Sequence, residues 1–127
     1  VAEKTNKNTL FSTKERLEMV KEVAGNIPNV RIESFSGLVI DYARKKNIRV
    51  LIRGLRMISD FEYELQMALT NRRLDDTIET VFLMPSEGFS FLSSKLIKEV
   101  ASLDADISSF VPDSIADKLR KKLGIKK

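Results

Sequence analysis

The sequence contains no cysteine and no histidine. Without cysteine there is no disulfide framework and no thiolate nucleophile. Without histidine the chain lacks the commonest general base and transition-metal ligand, which all but excludes a zinc site. Long apolar runs are missing as well: no stretch approaches the roughly 20 residues that span a bilayer, and none has the basic, apolar, small-residue layout of a secretory leader. The expectation is a cytoplasmic protein with no membrane partner. Chemistry must then rest on Lys, Arg, Ser, Asp, Glu and backbone dipoles, a set better suited to stabilising phosphates than to moving protons.

What is present is ordinary for a globular domain: 127 residues, 43% hydrophobic and 31% charged. The net charge of +4 suggests nucleic acid until it is located. All 18 acids and 16 of the 22 basic residues precede Lys118, so the body carries −2 and the surplus sits in the tail "KLRKKLGIKK". Cations at the end of a helix suit its macrodipole. The tail therefore reads as a solvated helix end, and no nucleic-acid partner is expected.

Along the chain, Ser12 and Glu15 form a capping-box pattern ahead of a helical stripe of Leu17, Val20, Val23 and Ala24, stopped by Gly25. "NVRIESF" alternates like a short strand, and "GLVIDYARKKN" reads as a helix with Leu38, Tyr42 and Ala43 on one side. Residues 48–52 predict a strand whose continuous Val50, Leu51 and Ile52 suit burial on both faces. A helix follows over 59–73, capped by Ser59 with Glu62 and burying Phe61, Leu65, Ala68 and Leu69. Residues 78–84 predict another strand, "SEGFSFLSS" a polar, aromatic loop, and "SSKLIKEVASL" a helix with Leu96, Ile97, Val100 and Ala101 inward. A last helix opens at Pro112 or Asp113 and closes at Gly124. Alternating strands and helices predict an α/β domain with a mainly parallel sheet.

Ligands of such folds bind beyond the carboxyl ends of the strands. That rule selects "RGLR" (53–56) and "PSEGFSFLSS" (85–94). Gly54 leaves the backbone open to approach, and Arg53 and Arg56 carry planar forks that fit phosphate. The alternative is that both arginines pair with Asp60, Glu62 or Glu64. Asp60 and Glu64 share a helix face and are suited either to the helix N-terminal dipole or to ribose hydroxyls. Ser90, Ser93 and Ser94, with Lys95 and Lys98, stand where a loop becomes a helix, which makes them either anion ligands or caps. Phe89 and Phe91 are placed to stack on a base or to pack in the core. Lys4 and Lys7 follow the opening segment, again on the carboxyl side.

"IRGLR", "DFEYELQMA", "VFLMPSEGFSFLSSKLIKEVA" and "KTNKNTLFSTKERLEMV" together resemble bacterial phosphopantetheine adenylyltransferases, over essentially all 127 residues. The resemblance implies a Rossmann-like nucleotidyltransferase fold, with a parallel sheet flanked by helices. The implied reaction joins ATP to 4'-phosphopantetheine with magnesium, giving dephospho-coenzyme A and pyrophosphate. It further implies a cytoplasmic homohexamer inhibited by coenzyme A. By the same resemblance, Lys7, Val39 and Arg53 match acceptor-binding positions. Gly54, Leu55, Arg56 and Glu64, then Phe89, Ser90, Phe91, Leu92, Ser93, Ser94 and Lys95, match the positions that hold the nucleotide. Phe89 stands where the family usually has Tyr or Trp, and Lys95 where it usually has a third serine. The family's Thr-x-Gly-His signature, whose histidine stabilises the transition state, lies upstream of anything in this sequence. No residue here is therefore expected to take that role or to hold a metal, and residues 1–127 are expected to be the C-terminal four-fifths of a single nucleotidyltransferase domain lacking its first strand and helix. Another nucleotidyltransferase of the superfamily, such as one acting on nicotinate mononucleotide, and a non-catalytic nucleotide-binding fragment remain alternatives.

Overall fold

The computed structural model describes residues 1–3 and 8–125. Two compact units divide the chain, one of Gly37–Leu92 and one of Val1–Ser36 with Ser93–Lys127.

The Gly37–Leu92 unit holds helix α2 (Val39–Lys45), strand β1 (Val50–Gly54), helix α3 (Ile58–Leu74), strand β2 (Glu79–Leu83) and the single turn α4 (Glu87–Ser90). β1 and β2 are parallel, with Val50 opposite Glu79, Ile52 opposite Val81 and Gly54 opposite Leu83. Antiparallel neighbours can be joined by a tight turn, but parallel ones need a crossover, and α3 supplies it. The expected Rossmann-like α/β pattern is thus realised around this pair. Ile40, Ala43 and Ile78 form the unit's core, with Val39, Ile48 and Leu51 packed against them. A tight Asp75 turn carries the chain from α3 into β2: its carboxylate accepts from the Thr77 amide at 3.0 Å and the Thr77 hydroxyl at 2.6 Å, and from Arg44 Nε of α2 at 2.9 Å.

Several expectations change here. β1 is covered on one face only: the pleat sends Leu51 towards the core and Val50 and Ile52 the other way, where Ile52 is 66% exposed. β1 also runs two residues further than predicted, so Arg53 and Gly54 belong to the strand itself. Of the α2 residues expected inward, Ala43 is buried and Leu38, its N-cap, is exposed; Ile40 takes the other inward place. α3 begins at Ile58 with Met57 as N-cap and no side-chain cap bond, so the cap lies two residues before the predicted Ser59. The face of α3 turned inward is also not the apolar one. Phe61, Leu65 and Leu69 are exposed, whereas Asp60, Glu64 and Ala68 are partly covered and Asn71 is buried. The covered face carries the carboxylates of Asp60 and Glu64, which pair with Arg56 and Arg53. The predicted loop after β2 contains the short turn α4.

The second unit holds α1 (Thr13–Ala24), α5 (Ser94–Ser102) and α6 (Asp113–Leu123). The α1 capping box is present, Ser12 Oγ accepting from the Glu15 amide at 3.2 Å and Glu15 Oε2 from the Ser12 amide at 2.7 Å. Its stripe is only half covered, with Val20 and Val23 exposed. The buried side chains of this unit are Ile97, Ala101, Ile107, Ala116 and Leu119, so α5 and α6 carry its core; Leu96, expected inward, is exposed. Among the described residues the predicted strand over residues 30–35 reduces to one parallel bridge, Ala2 with Phe35, because a ladder needs a partner strand along its length. α6 ends on Gly124 in the left-handed conformation (φ 73°), which suits glycine and lets its amide reach the Arg120 and Lys121 carbonyls. Part of the basic tail is engaged and not simply solvated. Lys118 pairs with Glu22, Lys122 lies 2.7 Å from Glu15 and 5.8 Å from the Phe11 ring, and Arg120 is 3.8 Å from Asp106.

Candidate functional site

A cleft of about 690 Å³ opens at the carboxyl ends of β1 and β2. Leu55, Arg56 and Met57 line it from the end of β1, Met84 from the end of β2, Phe61 from α3, and Ser90 and Phe91 from the α4 segment. The walls are mostly apolar, with one guanidinium among them, a common make-up for a site that encloses a flat organic group beside a charged one.

The polar groups at the mouth are arranged in pairs. Arg53 Nε donates to Glu64 Oε2 at 2.7 Å and Nη2 to Oε1 at 2.6 Å, a two-pronged ion pair between β1 and α3. The bonds to Glu64 hold the Arg53 guanidinium above its ordinary pKa, against the opposing effect of burial. Arg56 Nε lies 3.3 Å from Asp60 Oδ2, and its Nη1 donates to the Leu92 carbonyl at 2.5 Å. Arg56 thus ties the end of β1 to the segment after α4. The pairing that sequence left open is realised for both arginines, with Glu64 and Asp60 as the partners. Pairing takes only part of each fork, since a guanidinium has five N–H hydrogens.

The other expected residues fall as follows. Gly54 ends β1, and a Cβ built there would meet nothing within 4 Å, so its backbone stands open. The Leu55 amide continues the ladder to the Leu83 carbonyl at 3.0 Å. Val39 is the first residue of α2 and packs against the core. Phe89 is exposed and does not line the cleft, and the Ser90 hydroxyl donates to the Glu87 carbonyl at 2.9 Å. Ser93 is the N-cap of α5, its hydroxyl accepting from the Leu96 amide at 3.1 Å, so of the two roles left open for it the cap is the one made. Ser94 and Lys95 follow as the first exposed residues of that helix, in the other compact unit. Lys4 and Lys7 lie outside the described residues. Sequence reasoning missed Met57, Phe61 and Met84 as cleft walls. The usable signal was position: each apolar residue lies just beyond a strand or at the start of the helix after it.

Comparison with known proteins decides the family. The cytidylyltransferase-like family model matches residues 1–100. A phosphopantetheine adenylyltransferase of Dictyoglomus thermophilum is 52% identical over 126 residues, covering 99% of this chain and 77% of that protein. One from Caldanaerobacter subterraneus is 51% identical over 116 residues (91% and 72%), and one from Alkaliphilus metalliredigens 48% over 122 (96% and 78%). The chain belongs to the phosphopantetheine adenylyltransferase family. Within that family its cleft occupies the usual place for α/β folds, outside the carboxyl edge of parallel strands. Among the described residues no group of three or more Asp and Glu is placed to hold a metal ion, and no helix is long and apolar enough to cross a membrane.

Proposed function

We propose that the protein transfers the adenylyl group of ATP to 4'-phosphopantetheine, giving dephospho-coenzyme A and pyrophosphate, in coenzyme A biosynthesis. The observation that carries this reading is the match to phosphopantetheine adenylyltransferases, 52% identical over 99% of this chain in one case, combined with Arg56 lining an apolar cleft at the strand ends. An oxygen of the acceptor's phosphate attacks the α-phosphorus of ATP in line. The new Pα–O bond forms as the bond to the β-phosphate oxygen breaks, and pyrophosphate leaves with that electron pair. No covalent enzyme intermediate is needed, so the chain's work is alignment and neutralisation of charge.

Arg53 takes the acceptor phosphate, with Lys7 and the Val39 backbone as further acceptor contacts. Gly54, Leu55 and Arg56, with Glu64, hold the nucleotide; Gly54 allows close approach and the cleft beside Phe61 and Phe91 takes the base. Phe89, Ser90, Leu92, Ser93, Ser94 and Lys95 keep the nucleotide contacts that the family resemblance gives them. The described residues build no cage for magnesium, and both carboxylates at the mouth are engaged by arginines. Mg2+ is proposed as a counterion carried by the nucleotide's own phosphates, where it neutralises their charge, and no residue of the chain is assigned to it. A cytoplasmic homohexamer, inhibited by coenzyme A, completes the proposal.

Pyrophosphate release distinguishes the acceptor. Release is expected with ATP and 4'-phosphopantetheine, and none with ATP and nicotinate mononucleotide; the reverse pattern rejects the reading.

A further inference from the structure

We infer that Asp60 is a positioning residue for Arg56: it touches no ligand itself and sets the direction of the one guanidinium in the cleft wall. The inference rests on the assignment of Arg56 to the nucleotide made above. Arg56 lies between the end of β1 and the start of α3, and its side chain is 41% exposed. Two contacts hold its guanidinium. Nε lies 3.3 Å from Asp60 Oδ2, and Nη1 donates to the Leu92 carbonyl at 2.5 Å. Neither contact uses Nη2, so a group with five N–H hydrogens keeps donors for a phosphate.

Asp60 differs from its partner in where it stands: Arg56 lines the cleft and Asp60 does not. The Asp60 amide donates to the Met57 carbonyl at 3.0 Å in the first turn of α3, where the helix dipole also favours a carboxylate. The fold itself therefore holds this carboxylate where it meets Nε. An arginine outside regular structure samples many rotamers, and ordering it on binding lowers affinity. Asp60 and the Leu92 carbonyl make that ordering part of the folded state. A ribose contact from Asp60 instead needs its carboxylate at the cleft surface, and it is not among the walls. The start of α3 and the segment after α4 are thereby joined through one side chain, and together they set where a nucleotide phosphate meets the remaining donors.

The decisive variant is Asp60→Asn, which keeps the shape of the side chain and removes its charge. It is expected to weaken ATP binding by about two- to fivefold, the scale of one exposed ion pair, while 4'-phosphopantetheine affinity stays within about twofold. The same loss is expected with 2'-deoxy-ATP and 3'-deoxy-ATP, and no loss of ATP in an Arg56→Ala background. A smaller loss with either deoxy nucleotide assigns Asp60 to the ribose and overturns the inference. A full loss in the Arg56→Ala background, an equal loss of acceptor, or an unchanged ATP affinity overturns it as well. A second measurement needs no substrate. In the ligand-free protein the Arg56 Nε–H is expected to exchange with solvent, by NMR, more slowly than in the Asp60→Asn variant, and equal rates overturn the inference. If pyrophosphate is released with nicotinate mononucleotide and not with 4'-phosphopantetheine, the functional reading falls, while the ATP titrations and the exchange rates, which need neither acceptor, still decide the role of Asp60.

Discussion

At the residue scale, the two arginines at the carboxyl end of β1 differ in what they hold. Arg53 is tied to α3 through Glu64, whereas Arg56 reaches Asp60 and the Leu92 carbonyl and stands in the cleft wall. Arg53→Ala should therefore weaken 4'-phosphopantetheine by about tenfold or more, the scale of a lost charge-assisted hydrogen bond, with a smaller effect on ATP. Calorimetric titration with each ligand checks this, and equal losses contradict the division. Asp75 offers a test by pH. The Thr77 hydroxyl, Arg44 and the Thr77 amide, in that order, pull its carboxyl down to about 2 from an ordinary 3.8. A depressed carboxyl contributes stability that is complete above its unfolded pKa and is lost as pH falls through the folded one. The melting temperature should fall between pH 4 and 2, and Asp75→Asn should make that limb shallower while lowering the plateau above it.

At the scale of elements, the contrast lies between caps and charges. Ser12→Ala removes the hydroxyl that accepts the Glu15 amide and should cost about 0.5–2 kcal/mol by denaturant titration. Leu119→Ala empties a buried site in α6 and should cost about 2–5 kcal/mol. Lys118→Ala and Lys122→Ala, which break half-exposed pairs to α1, should cost about 0–1 kcal/mol each. Local signals made α1 legible in advance, because a capping box is satisfied within one turn. The parallel pair was legible from its apolar content and the helix-length crossover between its strands. The orientation of α3 was not, because periodicity records which face is apolar but not which face the rest of the chain covers. The extent of the 30–35 segment was illegible for a related reason, since a strand depends on a partner elsewhere in the chain. For the site, the rule of strand carboxyl ends found Leu55, Arg56, Ser90 and Phe91. It could not show that each arginine comes already paired.

For the whole molecule, a ligand that binds only the folded form stabilises it by mass action. ATP at a hundred times its dissociation constant should therefore raise the unfolding free energy by about 2.7 kcal/mol. Thermal melts with ATP and with CTP measure this, and an equal response to both would place the specificity outside the base pocket. A homohexamer should sediment at six times the mass of one chain. The inverted α3 has its own consequence for anyone reading a map of variants. Along most amphipathic helices, tolerance to substitution marks the polar side. Here fold stability should tolerate polar replacements at Leu69, which is 60% exposed, and resist the loss of Glu64 or Asn71. A scan interpreted by hydrophobicity alone would assign this helix its interior and its exterior the wrong way round.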